Sequence, residues 1–368
     1  MTTDSSLAPW LHAAHATLAA LRARGAHAAL LHGPAGIGKW ELAMAFARDA
    51  LCETPDAHGR ACGVCPSCRL GAAGNHPDLR VVVPDALAFR RPAPTEAQDE
   101  DATARERGDG GDGGGAEAER GATVKASREI KIEAVRNLAA FTGVSTHRGG
   151  LRVVVLGPAE ALNAAAANAL LKGLEEPPPQ SLFLLVSDHL DWCLPTIVSR
   201  CALVRVAVPP RQAALNWLLA QGIPDAAQRL TEAGGAPLAA ARDDGDGLDA
   251  DAAETLRGLL RLGPALRAAQ IAAQIPRTIP VAPSIALFQR WTWDFLSVRL
   301  GGHLRYHPAE AASFAALARA WRPDAAVSWL DRLRDARATA DHPLNARAVV
   351  EGLLLAYRNS MAEGRADA

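Results

Sequence analysis

The stretch that most limits what this chain can become is a short apolar run, Ala28-Ala29-Leu30-Leu31, leading into Gly33-Pro34-Ala35-Gly36-Ile37-Gly38-Lys39 and then into helical spacing from Glu41 to Leu51. A buried strand, a glycine loop fitting G-x-x-x-x-G-K and a helix in that order make a cradle for phosphate. Successive backbone N–H groups enclose the anion, the lysine neutralises it, and the helix adds its positive end. Gly33, Gly36, Gly38 and Lys39 are therefore the candidate nucleotide-binding residues. The next position should carry a hydroxyl to hold Mg²⁺, and here it is Trp40. An indole offers magnesium nothing, so the loop is degenerate.

Further along, apolar runs and helical periodicity alternate. Leu79 to Val83 reads as a strand, about Lys131 to Phe141 as a helix, Leu151 to Leu156 as a strand and Ala161 to Leu174 as a helix, with strands again at Ser181 to Ser187 and near Leu203 to Val206. Such alternation argues an α/β fold whose parallel sheet is covered on both faces. In a hydrolysing enzyme of this type, a second strand ends in an acidic pair, one carboxylate for Mg²⁺ and one for the attacking water. The strand Val153 to Leu156 ends instead in Gly157-Pro158-Ala159-Glu160, with Glu160 a helical turn too late.

Between the first helix and the second strand stand Cys52, Cys62, Cys65 and Cys68, spaced C-x9-C-x2-C-x2-C within a Pro- and Gly-rich segment too irregular to build its own core. Four thiolates at that spacing suit a closed tetrahedral zinc site, which is structural and not catalytic. An iron–sulfur cluster and free thiols stand beside this reading, as do His58 or His76 in place of one thiolate. The N-terminus has no basic stretch leading into an apolar one, and no uncharged apolar run reaches the roughly 18 residues a span needs. The expectation is a cytoplasmic protein without a membrane contact, in which the six cysteines are not read as disulfides.

The chain has 368 residues, which suits two or three domains. Its 39 Lys+Arg against 40 Asp+Glu exclude a global basic field for nucleic acid. About Pro84 to Thr123 is acidic and low in complexity, with Asp109-Gly110-Gly111-Asp112-Gly113-Gly114-Gly115 at its centre, and reads as a disordered insertion. After Pro209-Pro210 the periodicity is helical only, broken at Gly234-Gly235 and at Asp243-Asp244-Gly245-Asp246-Gly247.

Asn168-Ala169-Leu170-Leu171-Lys172-Gly173-Leu174-Glu175-Glu176-Pro177-Pro178, then Phe183-Leu184-Leu185-Val186-Ser187, then Ser199-Arg200-Cys201 occur in order behind the glycine loop. Together with the cysteine module and Asn75-His76-Pro77-Asp78, they make residues about 30 to 207 resemble the bacterial DNA polymerase III clamp-loader branch of the AAA+ proteins. The resemblance implies an AAA+ P-loop parallel-sheet domain over 1–207, with the zinc-binding module at about 52–74 and the insertion at about 84–123. It further implies a small helical lid over 208–247 and an all-α collar domain for oligomerisation over 248–368.

It implies a subunit of a pentameric ring that loads a sliding clamp onto primed DNA, beside the gamma/tau ATPase subunits and the delta subunit. Each ATP site of such a ring is completed by an arginine from the neighbour, here Arg200, while Ser199 and Cys201 orient and pack its turn. Ser187 falls at the polar sensor position. Leu238 stands where active relatives carry a second arginine. The losses fall on the chain's own site and the residue that serves a neighbour is kept, which implies a stator that does not hydrolyse ATP. ATP or ADP would be held without turnover, Zn²⁺ would be structural, and Mg²⁺ would have no place in the chain's own site. Two other readings stand beside this one: an autonomous ATPase like gamma/tau using Lys39, and a zinc-dependent nucleic-acid-binding module. The latter calls for a basic face around the cysteines, where only Arg60 and Arg69 occur.

Overall fold

The computed structural model describes residues 7–90, 127–143, 146–148, 150–241, 248–339 and 345–362. Residues 91–123 of the acidic insertion and the aspartate-glycine linker at 243–247 lie outside the described residues. The first seven positions of the insertion do not, and Asp85–Arg90 forms a 3₁₀ segment. The chain divides into two compact units, residues 1–213 and 214–368.

In the first unit five strands, β1 (Ala28–His32), β2 (Leu79–Val82), β3 (Arg152–Leu156), β4 (Ser181–Ser187) and β5 (Ala202–Arg205), lie in the order β2-β3-β4-β1-β5. Every pairing is parallel. All residues of β3 and β4 are buried, as expected of strands covered on both faces, so the apolar runs that marked them are continuous and not alternating. The helices of this unit are α1 (His12–Ala23), α2 (Lys39–Leu51), α3 (Pro66–Ala72), α4 (Ile132–Gly143), α5 (Ala164–Glu175) and the single turn α6 (Pro195–Val198). One core layer combines Leu30, Val154, Phe183 and Leu185 from the strands with Val135, Leu138, Leu170 and Leu174 from α4 and α5.

Register decides which strand tips meet. His32 at the end of β1 lies opposite Ser187 of β4 and opposite Arg205 of β5, while Leu156 of β3 lies opposite Leu185. The residues that follow β1, β3 and β4 therefore share one edge of the sheet, where ligands of open parallel sheets bind.

From Arg211 on, every element among the described residues is a helix: α7 (Arg211–Ala220), α8 (Ala226–Glu232), α9 (Pro237–Ala241), α10 (Ala250–Arg261), α11 (Ala268–Gln274), α12 (Val281–Arg299), α13 (Ala311–Ala320), α14 (Pro323–Thr339) and α15 (Ala346–Ala362), apart from two 3₁₀ turns. A small cluster of Ala214, Leu218, Ala226, Leu230 and Ala240 unites α7 to α9. A large one gathers Phe288, Trp291, Phe295, Phe314, Trp321, Trp329 and Tyr357, and Val350, Leu353 and Leu354 from the apolar stripe of α15 join it as internal packing. Asp294, wholly buried in α12, accepts the backbone N–H groups of Arg305, Tyr306 and His307 and contacts His307 Nδ1 at 2.9 Å, which fixes the loop before α13. None of the helices among the described residues is long and apolar enough to cross a membrane.

Candidate nucleotide-type loop, cysteine cluster and exposed arginine

The glycine loop joins β1 to α2. Gly33 has φ 147°, and a Cβ there would stand 2.2 Å from the Val206 carbonyl oxygen, so the first position of the loop admits only glycine. Gly36 and Gly38 also have positive φ, and Gly38 caps α2 in the left-handed region. Trp10 steadies the loop from outside, its indole N–H donating to the Ile37 carbonyl at 2.8 Å.

Lys39 does not reach into solvent. Its side chain is 2% exposed, and Nζ donates to the Gly33 carbonyl at 2.7 Å, to the Pro34 carbonyl, and to Asp188 Oδ1 at 2.6 Å. An ammonium has three N–H donors, so all of them are engaged. Asp188 was not singled out in the sequence. The signal that could have found it is its place directly after Ser187, beside the β1 tip in register with the loop.

Trp40 is half-buried beneath the Arg90 guanidinium, which lies 5.5 Å from its ring centroid. On the other side the indole approaches the tip of β3: a Cβ on Gly157 would meet Trp40 Cζ3 at 3.4 Å, the Val186 carbonyl at 3.2 Å and Val186 Cβ at 3.0 Å. The tight neighbour of a side chain at the strand tip is therefore Val186, and the indole of Trp40 stands at ordinary contact distance. Glu160 faces a different task, since its Oε1 accepts the backbone N–H groups of Asp188 at 2.9 Å and His189 at 3.2 Å. Ser187, fully buried, accepts from His189 N at 3.1 Å and from Cys193 Sγ at 3.3 Å, and so caps the turn after β4. His32 at the β1 tip is held below its ordinary value by burial and by the cations Arg205 and Lys39.

Arg200 stands on the surface just past α6. Its guanidinium donates from Nη1 to the Thr196 carbonyl at 3.0 Å and to Ser199 Oγ at 3.2 Å, and pairs from Nη2 with Glu175 Oε1 at 2.5 Å. Both side chains of that ion pair are well exposed, at 35% and 48%. Cys201 beside it is buried, and burial pushes its thiol up to about 12.

The four cysteines come together. Cys52 ends α2, Cys65 caps α3, and all four Sγ atoms lie within 4.8 Å of one another, with Cys52–Cys65 and Cys62–Cys68 each at 3.9 Å. Four thiolates about 2.3 Å from a tetrahedral metal would be about 3.8 Å apart, so the donor set fits a structural metal ion. Backbone N–H groups are aimed at the sulfurs: Cys62 N at Cys52 Sγ, Cys65 N at Cys62 Sγ, and Cys68 N at Cys65 Sγ. The Thr54 hydroxyl and the N–H groups of Val64 and Cys65 lower the Cys62 thiol to about 6, whereas burial raises Cys68 to about 12.

His76 does not join the cluster. It is buried, engages Ser67 Oγ through Nε2, and accepts the Asp78 N–H on Nδ1. His58 is exposed. The module is bound to the sheet domain by Asp49, whose carboxylate meets His15 Nε2 at 2.7 Å, the Ala61 N–H at 2.7 Å and Arg60 Nε at 3.3 Å.

Residues 15–210 match the family described as DNA polymerase III, delta subunit. Among curated proteins, the chain is 36% identical to the DNA polymerase III subunit delta' of Pseudomonas aeruginosa, over 79% of this chain and 78% of that one. It is 32% identical to the Escherichia coli protein of the same description, over 57% of this chain and 52% of that one. Among solved structures, a DNA polymerase III gamma subunit-related protein of Thermotoga maritima aligns over 94% of this chain and 99% of its own, with 16% identity and a TM-score of 0.45.

Proposed function

The chain belongs to the DNA polymerase III delta-prime family, and from that premise we propose that it is a clamp-loader subunit that leaves ATP hydrolysis to its neighbours and completes a neighbour's site with Arg200. The observation that carries this reading is the contrast between the two cations. Lys39 is 2% exposed with every donor engaged, while Arg200 stands on the surface on a short turn fixed by its own hydrogen bonds. A fixed, exposed guanidinium can supply charge to a transferring phosphoryl group, an effect worth about 10³–10⁵ in rate in GTPases. Trp40 and the closed space at Gly157 support the absence of a magnesium site in this chain. In this reading residues 208–247 are a lid and residues 248–368 a collar held in the ring. The partners are the gamma/tau ATPase subunits and the delta subunit, with the sliding clamp and primed DNA reached through the complex.

The same reading assigns Zn²⁺ to Cys52, Cys62, Cys65 and Cys68 as a structural ion. The four sulfurs would take all four positions of a tetrahedral metal and leave none for a reacting water. The soft thiolate set and the N–H groups directed at the sulfurs support it.

The test is DNA-stimulated ATP hydrolysis by the loader reconstituted from this chain and its cognate subunits, with assembly checked by gel filtration. Arg200→Ala should slow the site it completes by more than about tenfold, and Lys39→Ala should do little. Damage from Lys39→Ala with a silent Arg200→Ala would instead assign the chain its own ATP turnover.

A further inference from the structure

We infer that Asp188 occupies, from within the chain, the place that a nucleotide phosphate would take as the anionic partner of Lys39, and so decides whether the glycine loop accepts a phosphate ligand. The loop has kept what an anion site needs: three glycines in positive φ, the start of a 13-residue helix, and a lysine. What distinguishes it is that the lysine is satisfied. Two of its donors go to carbonyls of the loop itself, Gly33 and Pro34, and the third goes to the Asp188 carboxylate at 2.6 Å. An incoming phosphate finds no donor on Nζ and meets a carboxylate at the lysine, a like charge that repels it.

The carboxylate is held in that place by built geometry. Asp188 directly follows β4, whose last residue Ser187 is in register with His32 at the tip of β1. Its backbone N–H is fixed by Glu160 Oε1 at 2.9 Å, and the next N–H is shared by Glu160 and Ser187. Glu160 and Ser187 thus position the residue that binds the lysine. Asp188 itself is one-third exposed, so it can be displaced or substituted without opening the core. The ligand class is a di- or triphosphate bound without a metal, because Trp40 supplies no magnesium ligand. An intramolecular competitor reduces apparent affinity by the fraction of molecules in which the lysine is free.

This inference concerns the chain's own loop and holds whether or not Arg200 serves a neighbour. The experiment is isothermal titration of the full-length chain in magnesium-free buffer with ADP and, separately, with inorganic pyrophosphate. Native protein should bind both weakly. Asp188→Ala should bind both more tightly, by about tenfold or more, and the gain should vanish in the Asp188→Ala, Lys39→Ala double variant. Asp188→Asn, which keeps the hydrogen bond and removes the charge, should fall between and serves if the alanine variant folds poorly, as judged by its melting temperature. A gain for ADP but not for pyrophosphate would locate the effect at the base and overturn the inference. Equal binding by native and both Asp188 variants, whether tight or undetectable, would also overturn it.

Discussion

At Arg200 three acceptors from two segments converge on one guanidinium: the Thr196 carbonyl, Ser199 Oγ and Glu175 Oε1. The first two belong to the arginine's own turn. Glu175 ends α5 and ties that turn to the sheet domain. Exposed ion pairs of this kind are worth about 0.2–1 kcal/mol, so Glu175→Ala should leave the melting temperature nearly unchanged. Under the proposed role of Arg200, the same variant in the reconstituted loader should lower the turnover of the neighbouring site about two- to fivefold through looser positioning, with Glu175→Gln intermediate. Position 157 makes the opposite kind of demand. With the indole of Trp40 and Val186 around it, Gly157→Asp should destabilise the chain by about 1–3 kcal/mol, as overpacking does.

At the scale of elements, Asp49 near the end of α2 carries more than its position suggests. One carboxylate serves α1 through His15 and the cysteine segment through Ala61 and Arg60. Asp49→Ala leaves the half-buried Ala61 N–H without its acceptor and should cost about 1 kcal/mol. The same variant should weaken the metal site, read by competition with a chromophoric chelator. Strands and helices of the sheet domain were legible because a doubly covered parallel strand must be a continuous apolar run, and β3 and β4 are buried from end to end. The clustering of the cysteines was legible from spacing alone, and so was the absence of an acid at the tip of β3, where Gly157-Pro158 stands. Asp188 and Glu175 were not. Each acquires its meaning from a partner 149 or 25 positions away that only the strand register and the α5–α6 packing bring near. His76, which flanks the cysteines and stood as an alternative to one thiolate, has hydrogen bonds to Ser67 and Asp78 that belong to the fold.

Across the whole molecule, the two compact units have cores of different kinds. The first is a sheet packed by small aliphatic residues, with the cysteine cluster as a staple; the second holds a cluster of large aromatics among helices. Removal of the proposed Zn²⁺ should act on the first alone. Scanning calorimetry of the full chain should show a transition that moves down by several degrees on strong chelation, about 1 kcal/mol for each 2–8 °C according to the size of the unit, and another that stays in place. A single transition shifting as a whole would mean that the units unfold as one. The aromatic cluster has a spectroscopic consequence. Of eight tryptophans in the chain, five, Trp217, Trp291, Trp293, Trp321 and Trp329, lie in the second unit, and three of these are almost wholly sealed from water. The blue-shifted part of the ultraviolet emission of the unlabelled protein is therefore weighted toward the helical unit, with Trp10, Trp40 and Trp192 of the first unit adding to the rest. The thiols, all six within residues 1–213 and read by their reaction with a coloured reagent, speak for the other half alone.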